Sequence, residues 1–238
     1  MVKRCLLNGI YPETESALRP DVPWDLERQL AGETWPRHAH TMVGLKRLEN
    51  VQQCVEQALA ESVPGDLLEA GVWRGGVTIL MRAILKAHGV TDRRVWVADS
   101  FAGLPPPDRE RYPADWGSNL HQYPELAVSV EQVRSNFERY GLLDDQVRFL
   151  EGWFRETLPA APIERIAVLR LDGDLYESTI ETLEPLYPKL AVGGFVIVDD
   201  FGTIAAQRRA VLEFRDAHGI RDELVRIDRR GTYWRRTA

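Results

Sequence analysis

Cysteine is almost absent from this chain. Of 238 residues only two are cysteine, Cys5 in a tail and Cys54 within a helical pattern. Two thiols without metal-ligand spacing exclude a disulfide framework and a zinc site, and reduced cytoplasm is the expected compartment. Long apolar runs are missing as well. Lys3 and Arg4 precede only the short stretch CLL, and nothing approaches the roughly 20 apolar residues of a membrane span. Basic charge is not in excess. Thirty Lys and Arg stand against 36 Asp and Glu, a net charge of -6, so neither nucleic acid nor an anionic membrane is the expected partner. The Arg229, Arg230, Arg235 and Arg236 cluster is read as a solvated edge strand. No Pro/Gly/Ser-rich linker, internal repeat or low-complexity tract divides the chain. One domain over 41–238 is expected, preceded by a segment over 1–40 that could serve as a lid. In that segment Pro12, Pro20, Pro23 and Pro36 interrupt regular structure, and Trp24 to Leu30 suits a short helix. His38 and His40 are read as polar surface rather than as a metal pair.

What is present is organised around IAVLRLDGDLYEST, in which the apolar run Ile166 to Leu171 stops at Asp172, with Asp174 two residues on. Such a run reads as a strand buried on both faces, so Asp172 leaves the sheet at a carboxyl end, where open α/β sheets bind ligands. GGFVIVDDF repeats the design and stops at Asp199 and Asp200. If the two strands are neighbours, Asp172, Asp199 and Asp200 converge, and three carboxylates held together call for a hard divalent cation, Mg²⁺ first.

Leu45, Leu48, Val51, Val55 and Leu59 recur at helical spacing. There follow a strand over Leu67 to Ala70, a turn carrying Gly71, Gly75 and Gly76, and a helix from about Val77 to His88. Those glycines let backbone approach a ligand at a helix start, beside Glu69 at the strand's end. The spacing is not the G-x-G-x-x-G of dinucleotide dehydrogenases. RVWVADSF ends a second strand at Asp99, placed like the acid that binds ribose hydroxyls. The stretch from Gly103 to Pro124 reads as a long functional loop. Ser129 with Gln132, and Ser178 with Glu181, form capping-box patterns that open two helices. VRFLEGWF is a strand with Gly152, Trp153 and Phe154 at its exit, where an aromatic could stack on a purine. Strand and helix alternate until a hairpin formed by DELVRID and TYWRR. The expected fold is α/β, a mainly parallel, doubly wound Rossmann-like sheet with an antiparallel C-terminal edge. In such a sheet S-adenosylmethionine suits the cofactor site better than NAD.

EAGVWRGG (Glu69 to Gly76), WVADSFAGLP (Trp96 to Pro105), YGLLDDQVRFLEGWF (Tyr140 to Phe154), LRLDGDLYEST (Leu169 to Thr179), GGFVIVDDF (Gly193 to Phe201) and AHTMVGLKRLENVQQCVE (Ala39 to Glu56) resemble the macrocin O-methyltransferase family. The likeness runs from about Trp35 onward, and Ala70 replaces the family's usual Thr. The resemblance implies a class I methyltransferase fold and an S-adenosylmethionine- and Mg²⁺-dependent transfer to a sugar hydroxyl of a glycosylated natural product, such as a macrolide or an aminocoumarin, by a homo-oligomer. It implies Asp172, Asp199 and Asp200 as metal ligands and Asp174 as general base. Glu69, Gly71, Asp99, Ser100, Gly152 and Trp153 fall in its cofactor-binding motifs, Met42 lines the same pocket, and Asp172 borders cofactor and metal alike. A vicinal diol that chelates the metal is the expected acceptor feature. The competing readings are a metal-dependent nucleotide-sugar glycosyltransferase using D-G-D as its D-x-D motif, and a non-catalytic nucleotide-binding module.

Overall fold

The described N-terminal residues hold helix α1 (Val2–Leu6) and helix α2 (Leu26–Leu30), whose N-cap Asp25 accepts the Glu27 and Arg28 amides. The structure, a computed structural model, describes residues 1–11 and 24–238, so Pro12, Pro20 and Pro23 lie outside the described residues. The elements that follow are α3 (Leu45–Ala60), β1 (Asp66–Ala70), α4 (Gly76–Ala87), β2 (Val95–Asp99), α5 (Val130–Arg139), β3 (Val147–Glu151), α6 (Phe154–Thr157), β4 (Ile166–Leu171), α7 (Tyr176–Leu186), β5 (Leu190–Val198), α8 (Ala205–Ala217), β6 (Val225–Arg226) and β7 (Thr232–Arg235).

The strands form one seven-stranded sheet in the order β3-β2-β1-β4-β5-β7-β6. The first five are parallel, and the terminal hairpin joins antiparallel through β7 on β5. Alternate residues serve opposite faces. Leu67, Val95, Val97 and Val168 pack under α3, α4 and α5, whereas Leu68, Trp96, Ala98 and Leu169 pack under α7 and α8. Coverage on both faces explains why these strands are apolar throughout rather than alternating. Among the described residues no helix is long and apolar enough to cross a membrane.

The register places the site. Ala70 lies level with Leu171, and Leu171 with Val198, so Asp172 and Asp199 leave the sheet side by side, and the Asp199 amide donates to the Leu171 carbonyl at 3.0 Å.

Several local expectations change. Cys5 belongs to α1, next to Leu6 and Leu7, which are buried in the core, because the Leu pair needs cover. Helix α7 starts at Tyr176, before the expected box, with Ser178 already inside it. Its cap is remote: Asp115 accepts the Tyr176 amide at 2.6 Å and the Glu177 amide at 3.0 Å. At α5, Ser129 does accept the Gln132 amide, but the Gln132 side chain turns to Asn136 and leaves half of the box unmade. The stretch 103–124 holds short 3₁₀ turns at Pro113–Asp115 and Leu120–Gln122. The C-terminal arginines are not one solvated group. Arg235 pairs with Glu61, Arg236 donates to the Leu190 carbonyl at 2.6 Å, and Arg230 turns inward to Asp200 at 2.9 Å.

Candidate active site

A cavity of about 490 Å³ opens at the carboxyl ends of β1, β2, β3, β4 and β5, within the usual size of a small-molecule site. Met42, Glu69, Gly71, Asp99, Ser100, Gly152, Trp153, Asp172, Asp174, Asp199 and Asp200 all line it. Gly71 has a φ of 87°, and a Cβ there would run into the Asp172 carbonyl, so only glycine lets the first turn pass this close to β4. Gly76 has His40 and Thr41 against it in the same way, which seats the N-terminal segment on the turn.

Asp99 sits where a ribose acid is expected, yet in this structure it organises the glycine turn. Its Oδ2 accepts the Val72 amide at 2.7 Å and the Trp73 amide at 3.3 Å, while Oδ1 accepts the Phe101 amide at 2.8 Å. Burial raises its pKa against the pull of those hydrogen bonds. Ser100 donates to the Gly103 carbonyl at 2.6 Å and ties the start of the long loop to the same corner.

At the other end Asp172, Asp174 and Asp200 each offer a carboxylate oxygen, and these oxygens lie within 4.8 Å of one another. Burial and the neighbouring Asp199 push Asp172 up to about 7, with Arg170 opposing, and burial with Asp200 and Asp172 raises Asp174 well above the carboxylate range. Three carboxylates whose oxygens crowd this closely are a donor set that suits a hard cation. Asp174 adopts a φ of 60°, as Trp73 adopts 49°. Positive φ is costly for such residues and clusters at functional sites.

Asp199, expected beside Asp172 and Asp200, is held differently. Arg170 donates to its Oδ1 and Arg47 to its Oδ2. Burial alone would raise its pKa, but the two guanidinium groups outweigh burial and the net shift is downward. Arg170 also pairs with Glu69 and, at 2.8 Å, with Asp172. Arg47 continues to Asp228 at 3.2 Å. A chain of charges, the buried Glu69, Arg170, Asp199 and Arg47 and the half-buried Asp228, thus underlies the site. Burial pushes Glu69 up to about 8, with Arg170 opposing. Asp200 is steadied from outside by Thr203 and Arg230, both at 2.9 Å from Oδ1.

Sequence reasoning missed Arg47, Arg170 and Arg230. Arg170 left a signal, a charge in a strand otherwise made of Ile, Ala, Val and Leu. Arg47 left a fainter one beside Leu48 on the buried face of α3. For Arg230, in the turn between β6 and β7, nothing local announces its reach to Asp200.

This strand order, with a glycine turn after β1 and acids after β4 and β5, defines a class I O-methyltransferase, whose methyl donor is S-adenosylmethionine. The chain belongs to the macrocin-O-methyltransferase (TylF) family, whose model matches residues 2–236, including the N-terminal residues in which little likeness was expected. It is 56% identical over 240 residues to 8-demethyl-8-(2,3-dimethoxy-alpha-L-rhamnosyl)-tetracenomycin-C 4'-O-methyltransferase of Streptomyces olivaceus, covering 100% of this chain and 92% of that protein. It is 54% identical to mycinamicin III 3''-O-methyltransferase of Micromonospora griseorubida, covering 100% of this chain and 95% of the relative. The solved structure of the O-methyltransferase NovP superposes with a TM-score of 0.96 at 52% identity, over 100% of this chain and 97% of that one. Membership in a methyltransferase family removes the glycosyltransferase and non-catalytic readings of D-G-D.

Proposed function

We propose that this enzyme transfers the methyl group of S-adenosylmethionine to a sugar hydroxyl of a glycosylated natural product with the help of Mg²⁺. The observation that carries this reading is the convergence of Asp172, Asp174 and Asp200, oxygens within 4.8 Å of one another, in the cavity lined by the cofactor motifs. The names of the relatives support the acceptor class, since those proteins act on a rhamnosyl tetracenomycin and on mycinamicin III. When bound, the cofactor supplies an electrophilic methyl group and the ion supplies Lewis-acid polarisation of the acceptor.

The protein's own part is positioning and proton transfer. Asp172, Asp199 and Asp200 hold the ion; Glu69, Gly71, Asp99, Ser100, Gly152, Trp153 and Met42 hold the cofactor; and an Asp174 carboxylate oxygen takes the hydroxyl proton. A vicinal diol meets this arrangement with both of its oxygens. Trp35 from the N-terminal segment meets Tyr123 of the long loop edge-on at 5.4 Å, and the described N-terminal residues and 103–124 together act as the cover that keeps water out. The chain works as a homo-oligomer in the cytoplasm.

The clustering favours a second reading of the ion's ligands, in which Asp174 replaces Asp199 and Asp199 only anchors Arg47 and Arg170. Methyl transfer from labelled S-adenosylmethionine to a glycoside should stop in EDTA and return with Mg²⁺; full activity in chelator sinks the metal reading. Calorimetric Mg²⁺ titration decides between the ligand sets. Asp199→Asn should weaken the ion while Asp174→Asn binds it normally and loses about 10²-fold or more in turnover, and the reverse pattern installs Asp174 as ligand.

A further inference from the structure

Besides the aspartates, residues of α7 and of the stretch 103–124 line one part of the cavity, the α7 lobe. Glu177 and Glu181 lie one helical turn apart on α7, and both face this lobe. Glu181 receives the Tyr112 hydroxyl at 3.4 Å. Glu177 is different. Only 6% of it is exposed, its Oε2 has no hydrogen-bond partner, and burial, Glu181 and Asp115 all act to raise its pKa, with Arg155 the opposing charge. A buried carboxylate without a donor carries the full cost of its desolvation. Native proteins rarely tolerate that unless a partner arrives.

We infer that Glu177, backed by Glu181, is the acceptor-recognition residue of this enzyme, accepting a hydrogen bond from a hydroxyl of the bound sugar other than the one methylated. The inference rests on the sugar-hydroxyl reading above. The placement fits that role. Glu177 follows Asp174 by three residues, so a glycosyl unit held with one oxygen at Asp174 turns its other hydroxyls toward α7. Arg155, which also lines the lobe, offsets part of the acidic charge, so a neutral hydroxyl rather than an ammonium group is the fitting donor. Glu177 acts on binding and not on the methyl transfer, so its loss should appear in acceptor affinity with the cofactor and metal affinities unmoved.

The experiment titrates the full chain, saturated with S-adenosylhomocysteine and Mg²⁺, with methyl α-L-rhamnoside and with its mono-deoxy congeners, and measures methylation of the same rhamnoside in parallel. Glu177→Ala should weaken rhamnoside binding about 10- to 100-fold, leave S-adenosylhomocysteine and Mg²⁺ affinities unchanged, and leave the melting temperature at or above that of wild type. Glu177→Gln, which keeps an accepting oxygen, should recover part of the loss. One mono-deoxy rhamnoside should bind wild type as weakly as the parent binds Glu177→Ala, with no further loss when the two deletions are combined. Wild type that binds the rhamnoside in this pattern but methylates nothing overturns the functional reading and keeps Glu177 as a sugar-binding residue, without its role toward an acceptor. Methylation with unchanged acceptor affinity in Glu177→Ala overturns the inference and keeps the functional reading. Loss of cofactor or metal affinity in Glu177→Ala makes the residue structural, a Gln variant as poor as Ala makes the lobe a cation site, and a rhamnoside that wild type does not bind removes the sugar subsite; each overturns the assignment.

Discussion

Arg170 is the residue on which the acids of the site depend. It is fully buried and carries ion pairs to Glu69, Asp172 and Asp199, so its guanidinium is the near countercharge for carboxylates that would otherwise face one another. Removing one partner of a buried pair leaves uncompensated charge and typically costs about 3 to 5 kcal/mol. Arg170→Met should therefore lose about that much in urea unfolding. Arg170→Lys should recover little of it, because a compact ammonium does not reproduce a planar fork shared among three acids. Unfolding of Arg170→Met within about 1 kcal/mol of wild type would mean that the acids protonate and need no countercharge. The charge was visible in the sequence inside an apolar run. Two of its three partners were not, since Glu69 is 101 positions away and Asp199 is 29, and only strand order and register bring them together.

At the scale of elements, the strands and most helices were legible because each is coded by its own residues. Apolar runs mark β4 and β5, helical spacing marks α3, and the acids at strand ends follow once the sheet order is known. The start of α7 was not legible, because Asp115, which caps it, comes from 61 residues earlier in the chain. Two of the helix's free amides are satisfied by this buried carboxylate, so the cap also pins the stretch 103–124 against the helix that carries Glu177. Asp115→Ala should cost about 1 to 2 kcal/mol, the usual worth of a helix cap at its stronger end. It should also speed trypsin cleavage after Arg109 and Arg111, both exposed in that stretch. Asp115→Asn, which can still accept, should restore most of the protection. Equal cleavage of wild type and Asp115→Ala would show that the loop is held by other contacts.

At the scale of the whole molecule, the sheet and its antiparallel edge were readable from element order, whereas the docking of the N-terminal segment was not. Beyond the buried Leu6 and Leu7 and the Trp35–Tyr123 ring contact, it is tied down by single polar atoms spread over distant elements. The His40 amide donates to the Leu6 carbonyl at 2.9 Å, Arg74 donates to the Ala39 carbonyl at 2.8 Å and the Pro36 carbonyl at 3.1 Å, and His40 Nδ1 lies 2.9 Å from the Tyr140 hydroxyl. The last contact makes docking sensitive to pH. Burial, then Arg139 and Arg74, lower the His40 pKa below its ordinary 6.5, so the folded chain keeps a neutral imidazole where the unfolded chain takes up a proton. Stability rises with pH wherever the unfolded state binds more protons. His40 therefore costs nothing well above pH 6.5, and its contribution is lost as pH falls through that value toward the lower folded pKa, below which the loss stops growing. Urea midpoints at pH 7.5 and 5.5 should fall further in wild type than in His40→Gln, which keeps a polar partner for Tyr140 and does not titrate. Protease cutting within residues 24–40 should become faster at the lower pH in wild type alone. Parallel midpoints for the two proteins would show that His40 is protonated without leaving Tyr140, and that the segment is held by Arg74 and the buried Leu6 and Leu7 instead.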